Sequence, residues 1–182
     1  MAKPMPNRAV LDVVEALLRA AEHPDYTNIT RYGRDSLPGG QSPAGVKAAH
    51  MSGSTSMLWA AEVPREATPV QADDDVLVTS MPGRMLRLMV RLLDAARPNG
   101  FTSWQLCAAP GVGWPASGES PSAIRIVGDD GSVAYLRATA ASGPRGGAAE
   151  PKTDPCPDYR IPEGVVEWHH GRSAAPAVPV SV

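Results

Sequence analysis

The chain carries one pattern twice, and this narrows the folds open to it more than any single motif does. Residues 42–61 (SPAGVKAAHMSGSTSMLWAA) lie over residues 120–139 (SPSAIRIVGDDGSVAYLRAT) without a gap, at a constant offset of 78. Identities fall at Ser42/Ser120, Pro43/Pro121, Gly53/Gly131, Ser54/Ser132, Leu58/Leu136 and Ala60/Ala138, and pairs such as Val46/Ile124 and Lys47/Arg125 keep their chemistry. Upstream, VVEALLRAAEHP (13–24) answers LMVRLLDAARP (88–98). Between helix and hairpin the second copy is longer by three residues, an insertion that a surface loop absorbs at small entropic cost. A repeated unit of this length is one supersecondary element built twice.

Each copy reads as a helix followed by three strands. In the first, Val10, Val13, Val14, Leu17, Leu18 and Ala21 form an apolar stripe opposite Asp12, Glu15, Arg19 and Glu22, which predicts a helix over 6–22 closed by Pro24. A strand is expected at 26–33, a Gly/Pro loop after it, and a hairpin at 45–51 and 55–62 turning through Ser52-Gly53-Ser54. The second copy repeats the order. Ser80 reads as N-cap and Pro82 as a first-turn residue of a helix ending near Arg97, before a strand at 102–108 and a hairpin at 123–127 and 132–140 turning through Asp129-Asp130-Gly131.

The expected fold is therefore α+β, two tandem helix-plus-three-strand repeats (αβββ-αβββ) with a pseudo-twofold arrangement and an irregular C-terminal tail. The first repeat occupies 1–62, a linker 63–79, the second repeat 80–141, and a Pro/Gly-rich tail 142–182. Within the tail, 161–170 (IPEGVVEWHH) is apolar enough to dock back on the body, while 174–182 reads as extended. The two repeats are expected to form one globular body. The order helix, strand, strand, strand resembles that of double-stranded RNA-binding modules, but the basic closing helix of such modules has no counterpart after Ala61 or Ala140. No family is assigned on order alone.

Composition removes several function classes. With 17 basic and 19 acidic residues, a net charge of −2, the chain has no global field for nucleic acid or anionic membrane, so polyanion binding would need a local patch. Asp12, Glu15 and Arg19 interrupt the apolar N-terminal segment, which is thus neither signal peptide nor membrane span, and a cytoplasmic location is expected. Fourteen of the basic residues are arginine, a bias that fits a GC-rich bacterial genome. Cys107 and Cys156 stand apart and indicate neither a disulfide framework nor a zinc site.

Side-chain parity marks the candidate site. In a strand alternate residues share a face. Val46, Ala48, Ser56, Leu58 and Ala60 of the first hairpin and Ile124, Ile126, Ala134, Leu136 and Ala138 of the second should lie under the helices. The opposite face shows Lys47, Trp59, Arg125, Tyr135 and Arg137, a mixture suited to a protein or nucleic-acid surface. Coverage of that face by the other repeat or by the 161–170 segment is the competing expectation. A second patch is Arg84, Arg87 and Arg91, one stripe of the second helix, which could contact phosphates or be neutralised by the acidic face of the first helix.

Catalytic and metal motifs are weak. His50, Ser54 and Ser132 stand at hairpin turns with no orienting acid in view, so no triad is drawn. Glu163, Glu167, His169 and His170 have ligand chemistry in an irregular segment without ligand spacing, and no metal or cofactor is expected. The expected function is a non-enzymatic binding or adaptor protein acting on another protein through the outer sheet face. The alternative is a nucleic-acid accessory factor using the arginine patch, and an enzyme of unknown type comes third. A homodimer is left open, and no membrane partner is expected.

Overall fold

The computed structural model describes residues 5–33, 44–61, 70–71, 81–108, 123–141 and 153–166. Helix α1 (Asn7–Ala20) is followed by β1 (Tyr26–Tyr32), β2 (Gly45–His50) and β3 (Thr55–Ala61). A two-residue strand, β4 (Val70–Gln71), precedes α2 (Met81–Ala96), β5 (Phe101–Ala108), β6 (Ala123–Gly128) and β7 (Val133–Ala141). The protein is α+β, and every strand pairing is antiparallel. The sheet runs β1-β2-β3-β7-β6-β5-β4, six strands of six to nine residues with β4 added at one edge. β4 lies within the span read as a linker, 63–79, with Val70 paired to Ala108 and Gln71 to Cys107.

The two hairpins are built alike. His50 N–H donates to Ser54 O and Gly53 N–H to His50 O, and the same two bonds recur as Gly128 N–H to Ser132 O and Gly131 N–H to Gly128 O. This is the three-residue loop that needs a left-handed third residue, and Gly53 (φ 83°) and Gly131 (φ 74°) supply it without a Cβ clash. Irregularities in register occur between Tyr26 and Asn28 on β1 and between Phe101 and Ser103 on β5. Thr27 and Thr102 each place a hydroxyl on the carbonyl of the facing strand, Ala49 and Val127. Beyond each helix one non-glycine residue adopts positive φ, Glu22 at 44° and Arg97 at 43°.

The halves meet edge to edge through β3 and β7, with Leu58 opposite Ala138, Trp59 opposite Arg137 and Ala60 opposite Leu136. Neither hairpin therefore covers the other. Both helices lie on one face of the sheet, touch each other and share one core with it. Leu11, Leu17 and Leu18 of α1, Met85, Leu86, Met89, Leu92 and Leu93 of α2, and Leu58, Ile124 and Ile126 of the sheet are fully buried there. All ten positions assigned by parity to the helix side are buried, Ser56 among them.

The segment 153–166 returns to this core. Val165, in a helical turn at 163–166, is fully buried, Ile161 packs beside it, and the Tyr159 hydroxyl donates to Ala21 O at 2.6 Å. Ser80, Glu167, Trp168, His169, His170, the loop at 110–121 and the tail at 174–182 lie outside the described residues. No helix among the described residues is long and apolar enough to cross a membrane.

Candidate functional site

The turn that follows α1, the far end of β2 and the first turns of α2 converge at one end of the molecule, and residues 154–159 close over them. The result is a cleft of about 300 Å³. Its walls carry Arg84, Arg87 and Arg91 on one side and His23, Asp25, Tyr26 and His50 on another, with Asp154, Cys156 and Tyr159 from the returning segment. Helical spacing explains the arginine wall: positions three and four apart share a face, and Met85, Leu88 and Leu92, each one residue further on, turn the adjoining face into the core.

A polar line runs from this cleft into the core. Asp25 Oδ2 lies 2.6 Å from His50 Nδ1, and His50 Nε2 lies 2.7 Å from Ser56 Oγ. A carboxylate only accepts, so Nδ1–H donates to it; in the neutral ring Nε2 then accepts the Ser56 hydroxyl proton. The order acid, imidazole, hydroxyl is that of a hydrolytic triad, and Asp25 is the orienting acid that sequence reading missed. The hydroxyl end differs from a nucleophile. Ser56, the second residue of β3, lies on the helix-covered face with no exposure, so no substrate carbonyl reaches it. The line acts as a brace that satisfies the buried His50 and Ser56 from the part-exposed Asp25 at the cleft.

The other half of the sheet has no such line. Gly128 stands in the second hairpin where His50 stands in the first, and Ala134 where Ser56 stands. A Cβ on Gly128 would come within 2.9 Å of the Met5 methyl and 2.7 Å of Ser132 Oγ, so that end is filled by Met5 and has no room for an imidazole. The second hairpin pairs and turns without such a line.

Aromatic groups complete the cleft. His23 stacks on Tyr26 with ring centroids 4.5 Å apart and meets Tyr159 at 4.2 Å, and the Tyr26 ring meets His50 edge-on at 5.1 Å. Burial lowers the pKa of His23 below the ordinary imidazole value, with Asp25 and Asp154 pulling it back. Burial also raises the Tyr26 phenol, and the Cys156 thiol is held up by burial and by the same two carboxylates. These groups enter the cleft neutral at pH 7 and leave the arginines as its positive wall.

Arg87 and Arg91 of the stripe are not neutralised by α1. Arg31 bonds to Asp12 and, at 2.9 Å, to Glu15; Arg19 reaches Glu15 at 2.9 Å, and Arg8 approaches Asp12 at 4.0 Å. Asp12 and Glu15 are thus used on α1 itself and on β1. Among the described residues Arg87 and Arg91 are exposed and make neither ion pair nor hydrogen bond.

The five outer-face residues lie on the sheet surface away from the helices. Lys47 is exposed, while Trp59, Arg125 and Arg137 are half-buried. Arg137 lies over the Trp59 ring, its guanidinium carbon 5.3 Å from the centroid. Tyr135 departs from the expectation of an exposed binding residue: it is 4% exposed and packs with Ala123 and Val133 in a small second cluster. Tyr32, which parity reading passed over, shares this face and lies over Gly45, its hydroxyl burial-shifted to a pKa of about 12. Cleft and outer face are on opposite sides of the sheet, so the eight predicted site residues divide into two groups.

Among the described residues no group of three or more His, Cys, Asp or Glu side chains is placed to hold a metal ion. Comparison with protein-family models, with curated proteins and with solved structures finds no match.

Proposed function

We propose that the protein is a non-enzymatic binding protein and that the cleft is where it takes its ligand. The observation that carries this reading is convergence: four segments separated in sequence bring three arginines, two histidines, two tyrosines and two aspartates to one concavity, with a polar brace beneath it. A concave site with converging polar groups and displaced pKa values is the usual form of a ligand site. The burial of Ser56 on the helix-covered face argues against hydrolysis by the polar line.

The same reading treats the chain as a duplicated αβββ unit about a pseudo-twofold axis. Its support is that Trp59 and Arg137, equivalent at the offset of 78, face each other across β3 and β7, and that hairpin loops, strand irregularities and threonine bonds recur in both halves. Positions common to both halves then serve the fold, and Asp25, His50 and Ser56, matched by Gly100, Gly128 and Ala134, serve the site. The proposal takes the protein to work in a bacterial cytoplasm.

A thermal-shift screen of small charged metabolites and short acidic peptides tests the cleft. A ligand at a hundred times its Kd stabilises by about 2.7 kcal/mol, which raises Tm by about 5–10 °C in a chain of this size. That shift is expected in the native protein and is expected to vanish in the Arg87→Ala/Arg91→Ala double variant. A flat response across the panel contradicts the proposal.

A second reading uses the outer face, favoured by exposed Lys47 beside the Trp59–Arg137 contact, for an acidic protein partner. Loss of binding in Trp59→Ala, with the arginine double variant unaffected, would transfer the function there. A cleft of about 300 Å³ admits no duplex, so a nucleic acid would be met only by the exposed Arg87 and Arg91 at its rim.

A further inference from the structure

Resting on the reading of the cleft as a ligand site, we infer that its ligand is a small phosphate ester of a polyol, a sugar phosphate. The positive wall selects the phosphate. Arg84, Arg87 and Arg91 fall at spacings of three and four along α2, spanning about 10 Å of helix at 1.5 Å per residue. Guanidinium groups present paired N–H donors that match the oxygens of a phosphoryl group. Asp12 and Glu15 of α1 are engaged by Arg8, Arg19 and Arg31, and neither pairs with Arg87 or Arg91.

The facing carboxylates select the rest of the molecule. Asp25 and Asp154 line the same cleft, and two negative charges would repel a bare anion. Each already accepts one bond, Asp25 from His50 and Asp154 from the Cys156 N–H at 2.8 Å, and each has further acceptor capacity. Hydroxyl groups are the donors that satisfy such acceptors without adding charge. A ligand with an anionic end toward α2 and hydroxyls toward Asp25 and Asp154 fits both walls.

The rings and the volume exclude a larger ligand. His23 already stacks on Tyr26 and meets Tyr159, so the aromatic surfaces of the cleft are engaged with one another rather than open to a nucleobase. A cleft of about 300 Å³ is at the small end of the range for ligand sites, about 300–1,000 Å³. Both observations favour a sugar phosphate over a nucleotide.

Isothermal titration of the full chain with ribose 5-phosphate, inorganic phosphate, ADP and a tetraglutamate peptide separates the possibilities. The expected result is submillimolar binding of ribose 5-phosphate, about tenfold or more tighter than inorganic phosphate and no weaker than ADP. Arg87→Ala/Arg91→Ala should weaken it at least about tenfold, equivalent to about 1.4 kcal/mol, and Asp154→Asn should reduce the preference for the sugar ester over inorganic phosphate. Lys47→Ala, on the other side of the sheet, should leave it unchanged. Absence of heat with ribose 5-phosphate overturns the inference, as does binding that survives the arginine double variant or a tenfold preference for ADP. Arginine-dependent binding of tetraglutamate alone overturns the sugar phosphate while keeping the cleft as the binding site; silence of all four probes together with a flat thermal screen removes both.

Discussion

Replacing Leu58 by alanine is expected to lower the free energy of unfolding by about 3–5 kcal/mol, the upper part of the range for a leucine truncated in a closed core. Leu58 has no exposure and stands on β3 at the seam of the sheet, opposite Val46 on one side and Ala138 on the other. Both helices contact β3 from the same face. A void there cannot be closed by moving one helix, because the seam joins the two hairpins and the sheet backbone is held by hydrogen bonds on both sides. Trp59→Ala, one residue along on the outer face, removes a half-buried ring and its contact with Arg137 and should cost about 1–2 kcal/mol less than the leucine change. Urea unfolding of the two variants checks this ordering. A Leu58→Ala loss below 1 kcal/mol would mean that the seam is not the centre of the core.

His50→Ala should cost about 2–4 kcal/mol for a different reason. The imidazole is 6% exposed and forms the only bridge in the structure between the Asp25 carboxylate and the fully buried Ser56 hydroxyl among the described residues. Its removal strands two polar groups, each left unsatisfied at about 1–3 kcal/mol, with Asp25 partly relieved by water because it is 13% exposed. Ser56→Ala alone should cost about 1 kcal/mol, since it loses one bond and the second hairpin tolerates alanine at the matching Ala134. The two changes share one network, so the double variant should be less destabilised than the sum by about 1–2 kcal/mol. Additivity within a few tenths of a kcal/mol would show that the two side chains do not act together.

Much of the fold was legible in the chain because its signals are local. The stripe from Val10 to Ala21 and the glycines of the two hairpin loops each dictate an element through near-neighbour chemistry, and α1, α2 and both hairpins end within a residue or two of the expected positions. Pairing between distant strands is decided by burial of a whole face, and nothing local marks β3 and β7 as partners or Val70–Gln71 as a strand. Tyr135 shows the same limit: its parity was right and its burial came from neighbours that parity does not see.

The cleft was legible in fragments. The arginine stripe follows from helical spacing, but Asp25 follows α1 in the chain, while Cys156 and Tyr159 lie more than 100 residues further on. One signal was available. Laying residues 42–61 over 120–139 sets His50 against Gly128 and Ser56 against Ala134, both on the helix-facing parity, where a polar side chain needs a partner. The acid that completes the line sits at the mouth of β1 beside Tyr26, which faces His50 across the sheet.

The most direct test of the cleft as the binding site is a backbone amide chemical-shift map of the full chain, recorded on addition of the compound giving the largest thermal shift. The cleft reading predicts changes at His23, Tyr26, His50, Arg87, Arg91 and Tyr159, with Lys47, Trp59 and Arg125 unmoved. Changes centred on Lys47, Trp59 and Arg125, with the α2 arginines and residues 154–159 silent, would contradict it.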